Sequence, residues 1–336
     1  MLRRVKLRRL CCVALASMTA TLAACEDTES PTSFGRNGSS SGDVVVDQDG
    51  GSCSRERPQS SADYQVKDDV VTTSDGTTHR FTVVEPRRGQ DRSPLPVIVA
   101  YHGNNETRAM MQSQWRIEQY VNKGALVIYP DGNNDQCGAS WGGEGLSAKS
   151  SYADAFAKII DRAKQVYRAD TSRVFLAGMS RGAIFATLLA CRYSAPGAFT
   201  LGAVAVMSGS LTNQPLGVDG TWEGNDYYFK CNGQQPLPTF VVHGTADEVI
   251  ALQYGRDVAD YATFVNRVAQ SLGGQQGYGL DAPTAAVTGL PSECRRYTEA
   301  PDNAPVVMCT VPAMEHQLWS ESARAYWQFA SFAPPR

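Results

Sequence analysis

The stretch FLAGMSRGAIFA, Phe175 to Ala186, sets Ser180 between Gly178 and Gly182 directly after an apolar run. That spacing suits a nucleophile, because a serine forced into strained backbone at a sharp strand-to-helix turn needs neighbours without a Cβ on either side. The same five-residue pattern also arises by chance, so the question becomes whether the chain supplies a base and an acid. A serine hydroxyl is a poor nucleophile without them. Only four histidines are available. His79 sits in an early β-rich stretch, and His102 and His243 each precede a glycine at the end of an apolar run, whereas His316 in VPAMEHQLW follows the last such run. His316 is the candidate base. Asp247 in VVHGTADEVI, three residues past Gly244, is the candidate acid, with Glu248 beside it as the alternative. Its role would be to hold the imidazole tautomer and stabilise the imidazolium. The charge that develops on the substrate oxygen needs donors aimed at it, and the backbone N–H groups of Arg181 and of Asn104 in YHGNN are placed for that.

The elements that must position these residues alternate along the chain. VVTTSDGTTHRFTVV is two β-rich runs around Asp75-Gly76, a hairpin pattern. LPVIVAYHG is a continuous apolar run of the kind a doubly buried parallel strand requires. A helix over Thr107 to Lys123, the strand ALVIYPDG, a helix over Tyr152 to Tyr167 and the strand SRVFLAGMS follow. Then come a helix from Arg181, the strand LGAVAVMSG, an aromatic-rich insertion (Gly217 to Gly233), the strand PTFVVHG, a helix over Tyr254 to Leu272, a strand at VVMCTV and a last helix near Ser320 to Phe332. This order predicts an α/β fold, with a mostly parallel central sheet, helices on both faces and an N-terminal antiparallel hairpin. In such sheets ligands bind beyond the carboxyl ends of the strands, where His102, Ser180 and Asp247 all fall. The chain order Ser180, Asp247, His316 is that of α/β-hydrolases, which place the base after the acid.

Composition narrows the class of function. The formal charge of −3 includes five basic and no acidic side chains in the first 24 residues, so their removal leaves about −8 and gives no support to nucleic-acid binding. The basic start and the apolar Leu10 to Ala24 read as a signal peptide, residues 1–24. Leu22-Ala23-Ala24-Cys25 resembles a bacterial lipobox, in which Cys25 is lipidated and becomes the new N-terminus; plain secretion with a structural Cys25 is the alternative. Residues 25–61 are mostly Ser, Gly, Asp, Thr and Asn, too polar to bury a core, and read as a disordered tether with a reach of roughly 30 Å. The domain proper is expected over residues 62–336. Past the signal, Cys25 is joined by Cys53, Cys137, Cys191, Cys231, Cys294 and Cys309, an even set of six for an exported domain. No Cys-x-x-Cys or clustered His supports a zinc site, and no metal or cofactor is expected.

At this point a family resemblance becomes specific. YHG, DTSRVFLAGMSRGA, LLACRYSAPGAFTLGAVAVMSG, VVHGTADEVI and the final His316 with Trp319 nearby resemble, in order, the polyhydroxybutyrate depolymerase and feruloyl esterase group, similar to carbohydrate esterase family 1. Trp141 and Asp154 also look like that family's Trp and Asp between the preceding strand and the serine. The resemblance implies metal-independent hydrolysis of carboxylic esters, often acyl groups on plant polysaccharides or hydroxyalkanoate polyesters; separately, the chain is expected to be a monomer whose membrane contact is the lipid anchor. The family's cysteine spacing implies Cys191 with Cys231 and Cys294 with Cys309, which leaves Cys53 with Cys137. Arg181, Met314-Glu315 and His316-Gln317-Leu318-Trp319 depart from the family pattern and alter the expected acyl pocket near His316. Trp141, Trp319 and TWEGNDYYF are candidates for an aromatic substrate wall, with packing as the alternative. A depolymerase, a serine peptidase of the same fold and a non-catalytic binding protein are the competing functions. For the anchor, the expected outcome is that Cys25→Ser moves the protein from the membrane to the soluble fraction, since the tether has too little apolar surface to bind by itself. Mass spectrometry that finds an unacylated mature N-terminus elsewhere contradicts it.

Overall fold

A run as apolar as LPVIVAY folds only where both faces are covered. In the computed structural model it is a strand buried at every position. The residues described are 60–332, apart from 90, 92, 133–140, 142–150, 196, 212–234 and 269–283, together with Val45–Val46 and Ser52–Cys53. In chain order the elements are β1 (Val45–Val46), β2 (Ser52–Cys53), β3 (Tyr64–Thr72), β4 (Thr78–Pro86), β5 (Leu95–Tyr101), α1 (Arg108–Trp115), β6 (Leu126–Pro130), α2 (Ser151–Tyr167), β7 (Ala169–Met179), α3 (Arg181–Tyr193), β8 (Leu201–Met207), β9 (Thr239–Gly244), α4 (Leu252–Val268), β10 (Thr284–Ala286), β11 (Cys294–Tyr297), β12 (Val306–Val311) and α5 (Ser322–Phe332).

The ten-stranded sheet runs β10-β11-β12-β9-β8-β7-β5-β6-β4-β3. Its middle, from β12 to β6, is parallel, and the hairpin β3-β4 joins β6 antiparallel. This is the expected α/β-hydrolase architecture. Side chains alternate between two cores with the two-residue period of a strand. On β5, Val97, Val99 and Tyr101 enter the core covered by α2, α3 and α4, while Ile98 and Ala100 enter the one covered by α1 and α5.

Two local expectations are corrected. The helix expected over Thr107 to Lys123 stops at Trp115, because Arg116 takes a left-handed φ of 49° and the chain continues as a tight turn, Ile117–Gln119. That break lets Glu118 turn inward, where Tyr129 and Gln112 donate to its carboxylate at 2.7 and 3.2 Å. The sheet gains the edge strand β10 and, between it and β12, β11, both short and without a long apolar run to announce them. Within the expected tether, β1 and β2 pair antiparallel, built on the β-branched Val45–Val46. The rest of the tether up to residue 59, the signal segment with Cys25 and the aromatic insertion lie outside the described residues.

Cys294 and Cys309 are register partners on β11 and β12 and form a disulfide. Cys191 is disulfide-bonded; Cys231 and Cys137 lie outside the described residues, as does the side chain of Cys53. Among the described residues no helix is long and apolar enough to cross a membrane. The Cys294–Cys309 link closes a separation of 15 residues. Replacing both by Ala is expected to lower the unfolding free energy by about 3 kcal/mol, read as a lowered urea midpoint with a steeper slope, because the unlinked unfolded chain exposes more surface.

Candidate active site

Strand β7 stops at Met179 and helix α3 starts at Arg181, so Ser180 alone makes the turn. Its φ of 52° and ψ of −121° lie outside the wells that side chains normally occupy, a strain of order 1–3 kcal/mol. Both flanking glycines are sterically required. A Cβ on Gly178 would sit 2.2 Å from the Gly182 carbonyl oxygen, and one on Gly182 would sit 2.3 and 2.4 Å from the carbonyl oxygens of His102 and Tyr101. The Ser180 N–H donates to the Met207 carbonyl at 2.9 Å, which ties the turn to β8.

The candidate base, His316, arrives from far along the chain. From β12 to β7 is three strand spacings, roughly 14 Å, so the loop after β12 must cross the ends of β9 and β8 to bring His316 over Ser180. It is held on the way. Thr245 N–H donates to the Val311 carbonyl and Ala246 N–H to the Met314 carbonyl, both at 3.0 Å, and Ser208 Oγ at the end of β8 donates to the Gln317 carbonyl at 3.2 Å. Gly244 allows this approach, since a Cβ there would lie 2.0 Å from the Met314 oxygen.

The result is a continuous chain of side chains. His316 Nε2 lies 2.8 Å from Ser180 Oγ, and His316 Nδ1 lies 2.8 Å from Asp247 Oδ2. A carboxylate only accepts, so Nδ1 carries the proton and Nε2 accepts from the serine hydroxyl. Asp247 is buried, and its other oxygen, Oδ1, accepts from the N–H groups of Val249 and Ile250 at 3.0 and 2.8 Å. Glu248, the alternative acid, is exposed.

His243 also reaches Asp247, with Nε2 at 3.3 Å from Oδ2, but it donates to the Ile250 carbonyl at 2.7 Å. Burial holds its pKa below the usual histidine value, and α4 closes over its Nδ1 at Gly255, where a Cβ would lie 2.4 Å away. It stays neutral and turned from Ser180.

The loop after β5 lies against Met179 and Gly182, on either side of Ser180. Gly182 abuts the Tyr101 and His102 carbonyls, and a Cβ on Gly103 would meet Met179 Sδ and Glu106 Oε2 at 3.0 Å each. Asn104 is exposed in the turn that follows. Arg181 is half-buried at the first position of α3. Glu106, which sequence reasoning passed over, accepts from the Gly103 N–H at 2.7 Å; burial pushes its pKa up, and the Gly103 N–H and nearby His316 pull it back. Its only sequence signal is an acid four residues past His102.

Trp141 does not line the site. It is 1% exposed, stacked on Phe185 with ring centroids 5.5 Å apart and edge-on to Tyr101, and its indole N–H donates to the His102 carbonyl at 2.7 Å. With its ring enclosed in the core, no face remains for an acyl group. Trp319 is half-buried on the α1 and α5 side. Among the described residues no group of His, Cys, Asp or Glu is arranged to hold a metal ion.

Against known proteins, residues 83–215 match the family described as Esterase PHB depolymerase. The match includes Asn104 and Ser180 and ends before Asp247 and His316. The chain is 26% identical over 159 residues to the bifunctional acetylxylan esterase/xylanase of Neocallimastix patriciarum, covering 47% of this chain and 20% of that protein. It is 29% identical over 176 residues to poly(3-hydroxyalkanoate) depolymerase C of Paucimonas lemoignei, covering 46% and 41%. It is 26% identical over 203 residues to feruloyl esterase D of Neurospora crassa, covering 57% and 61%. The aligned stretches thus span less than two thirds of these relatives. The structure of an acetyl xylan esterase from Aspergillus awamori superposes with a TM-score of 0.56 at 16% identity, over 80% of this chain and all of that one, a likeness of fold. The fold is that of the α/β-hydrolases. Residues 83–215, less than half of the chain, are similar to the esterase domain of the PHB depolymerase family.

One buried histidine beside the site makes stability depend on pH. Burial lowers the His102 pKa to about 4, from 6.5. A depressed folded-state value means that the unfolded chain binds the proton more readily, so stability is full above pH 6.5 and is lost as pH falls toward 4. Between pH 7 and pH 5 this group is expected to remove about 2 kcal/mol, estimated from the shift. Urea midpoints at the two pH values check it, and His102→Asn should shrink the difference.

Proposed function

We propose that this chain is an exported serine esterase that hydrolyses carboxylic esters through an acyl-enzyme. The observation that carries the reading is the unbroken contact from Ser180 through His316 to Asp247, each step at 2.8 Å, on a turn strained as a nucleophile requires. In the first half-reaction His316 Nε2 takes the Ser180 proton as Oγ attacks the ester carbonyl, and the oxyanion is received by the Arg181 and Asn104 N–H groups. Collapse breaks the bond to the alcohol, which leaves with the proton from His316. Water, deprotonated by the same imidazole, then attacks the acyl-serine, and the acid departs as Ser180 regains its proton. Asp247 keeps the imidazole in the donating tautomer and faces the transient imidazolium throughout.

For the substrate we favour feruloyl or acetyl esters on plant polysaccharides, with hydroxyalkanoate esters next. The names of the three relatives span those three classes. Trp319 remains the candidate wall. A lipidated Cys25 and the tether would hold the catalytic domain at the cell envelope.

Two measurements test the proposal. Ser180→Ala is expected to reduce kcat at least about a thousandfold with little change in stability, and a fluorophosphonate should label Ser180 in the parent only. Comparable turnover by the purified variant overturns the assignment. Across methyl ferulate, acetylated xylan, 3-hydroxybutyrate oligomers and aminoacyl anilides, kcat/KM should favour esters over anilides and the first two over the oligomers. Preference for oligomers would make it a depolymerase, and preference for anilides a peptidase.

A further inference from the structure

Two consecutive peptides in the loop after β5 have nearly all their polar groups engaged. The first joins His102 to Gly103. Its carbonyl accepts from Trp141 Nε1 at 2.7 Å, and its N–H donates to Glu106 Oε2 at 2.7 Å. The second joins Gly103 to Asn104. Its carbonyl lies 2.8 Å from His102 Nδ1, while among the described residues nothing accepts from its N–H, the one that belongs to Asn104.

The histidine tautomer follows from its other nitrogen. His102 Nε2 is 3.0 Å from the Gly132 N–H, which can only donate, so Nε2 is the acceptor and Nδ1 carries the proton toward Gly103. The ring is fully buried and neutral, which keeps that tautomer in place. Its anchor is firm as well. Asp131, next to Gly132, donates its N–H to the Arg80 carbonyl, accepts from the Arg108 N–H at 3.1 Å and lies 3.2 Å from the Arg108 guanidinium.

In a trans peptide the C=O and N–H are coplanar and point in opposite directions, so gripping the carbonyl aims the N–H. The described peptides include no cis bond. We infer that His102 is a positioning residue of the oxyanion hole: by holding the Gly103 carbonyl it directs the Asn104 N–H outward, and Trp141 and Glu106 fix the preceding peptide so that the plane cannot swing. This rests on the esterase reading above and deepens it. The same loop touches Met179 and Gly182 on either side of Ser180, so a rotation of that plane is felt beside the nucleophile. A histidine that served only to fill the core would affect stability without distinguishing a tetrahedral oxyanion from a bound ester.

The test compares the parent with His102→Asn, His102→Gln and Trp141→Phe. Asn offers a donor near the place of Nδ1, whereas Gln offers one near Nε2, and Phe keeps the Trp141 packing but loses its N–H. Readouts are kcat and KM on p-nitrophenyl acetate and inhibition by an alkyl trifluoromethyl ketone, whose hemiketal oxygen enters the oxyanion position. His102→Gln is expected to lower kcat roughly thirtyfold with KM within about twofold, and to weaken ketone inhibition in parallel. His102→Asn should recover to within about fivefold of the parent, and Trp141→Phe should lose about fivefold with the same split. Folded His102→Gln with kcat within about twofold of the parent, or His102→Asn as impaired as His102→Gln, overturns the inference. Should the His102 variants fail to fold, Trp141→Phe decides alone, and unchanged kcat and ketone inhibition overturn it. A parent that neither hydrolyses the ester nor binds the ketone at Ser180 sinks the esterase reading and this inference together; an active parent with unaffected variants sinks this inference only.

Discussion

The site depends on how closely the first turn of α3 approaches the end of β5. Gly182 lies so near the Tyr101 and His102 carbonyls that no side-chain carbon fits between them. That approach presents Ser180 on a turn too sharp for relaxed backbone, and it sets the loop after β5 beside that serine. The strain is offset locally, since the Ser180 N–H is bonded to Met207 and its carbonyl receives the N–H groups of Ala183 and Ile184 at 2.9 and 3.1 Å. Position and strain therefore share one cause.

Electrostatics at the other end of the relay follow from burial. Asp247 is a carboxylate withdrawn from water, which is tolerable only when its oxygens are hydrogen-bonded. Backbone donors at Val249 and Ile250 occupy Oδ1 and turn Oδ2 toward His316. His243 lies within reach of the same oxygen, yet its desolvation keeps it neutral and its Nε2 proton goes to Ile250. Two histidines thus share one acid, and only the one on the crossing loop faces the serine. The family match stops short of that loop, so the pairing of His316 with Asp247 rests on the neighbouring strands β9 and β12, whose register sets Val311 opposite Gly244.

Much of this was legible beforehand because it depends on local pattern. A doubly apolar run such as Leu95–Tyr101 has one stable use, and apolar spacing together with glycine at the turns separates strand from helix along most of the domain. The glycines about Ser180 and the exclusion of three histidines by chain order named the three residues that the fold draws together. Elsewhere pattern was insufficient. Nothing local marks Arg116 as the end of α1, since its left-handed backbone serves the inward turn of Glu118 toward Tyr129 on another element.

Trp141 shows the limit best. An aromatic residue ahead of the serine reads equally as substrate wall or as packing, and the choice depends on which elements close around it; here Tyr101, Phe185 and the His102 carbonyl do so from two other elements. His102 is a similar case, a histidine before glycine whose use appears only when Gly132 is brought to its far nitrogen. The sequence by itself determined the order of strands and helices, the strained serine and its candidate partners, because each of these is written in neighbouring residue types. Only the tertiary structure decided which polar atoms meet across the sheet edge, because those contacts join segments far apart in the chain, and hydrogen-bond direction is set by packing between elements, which no periodicity within one element records.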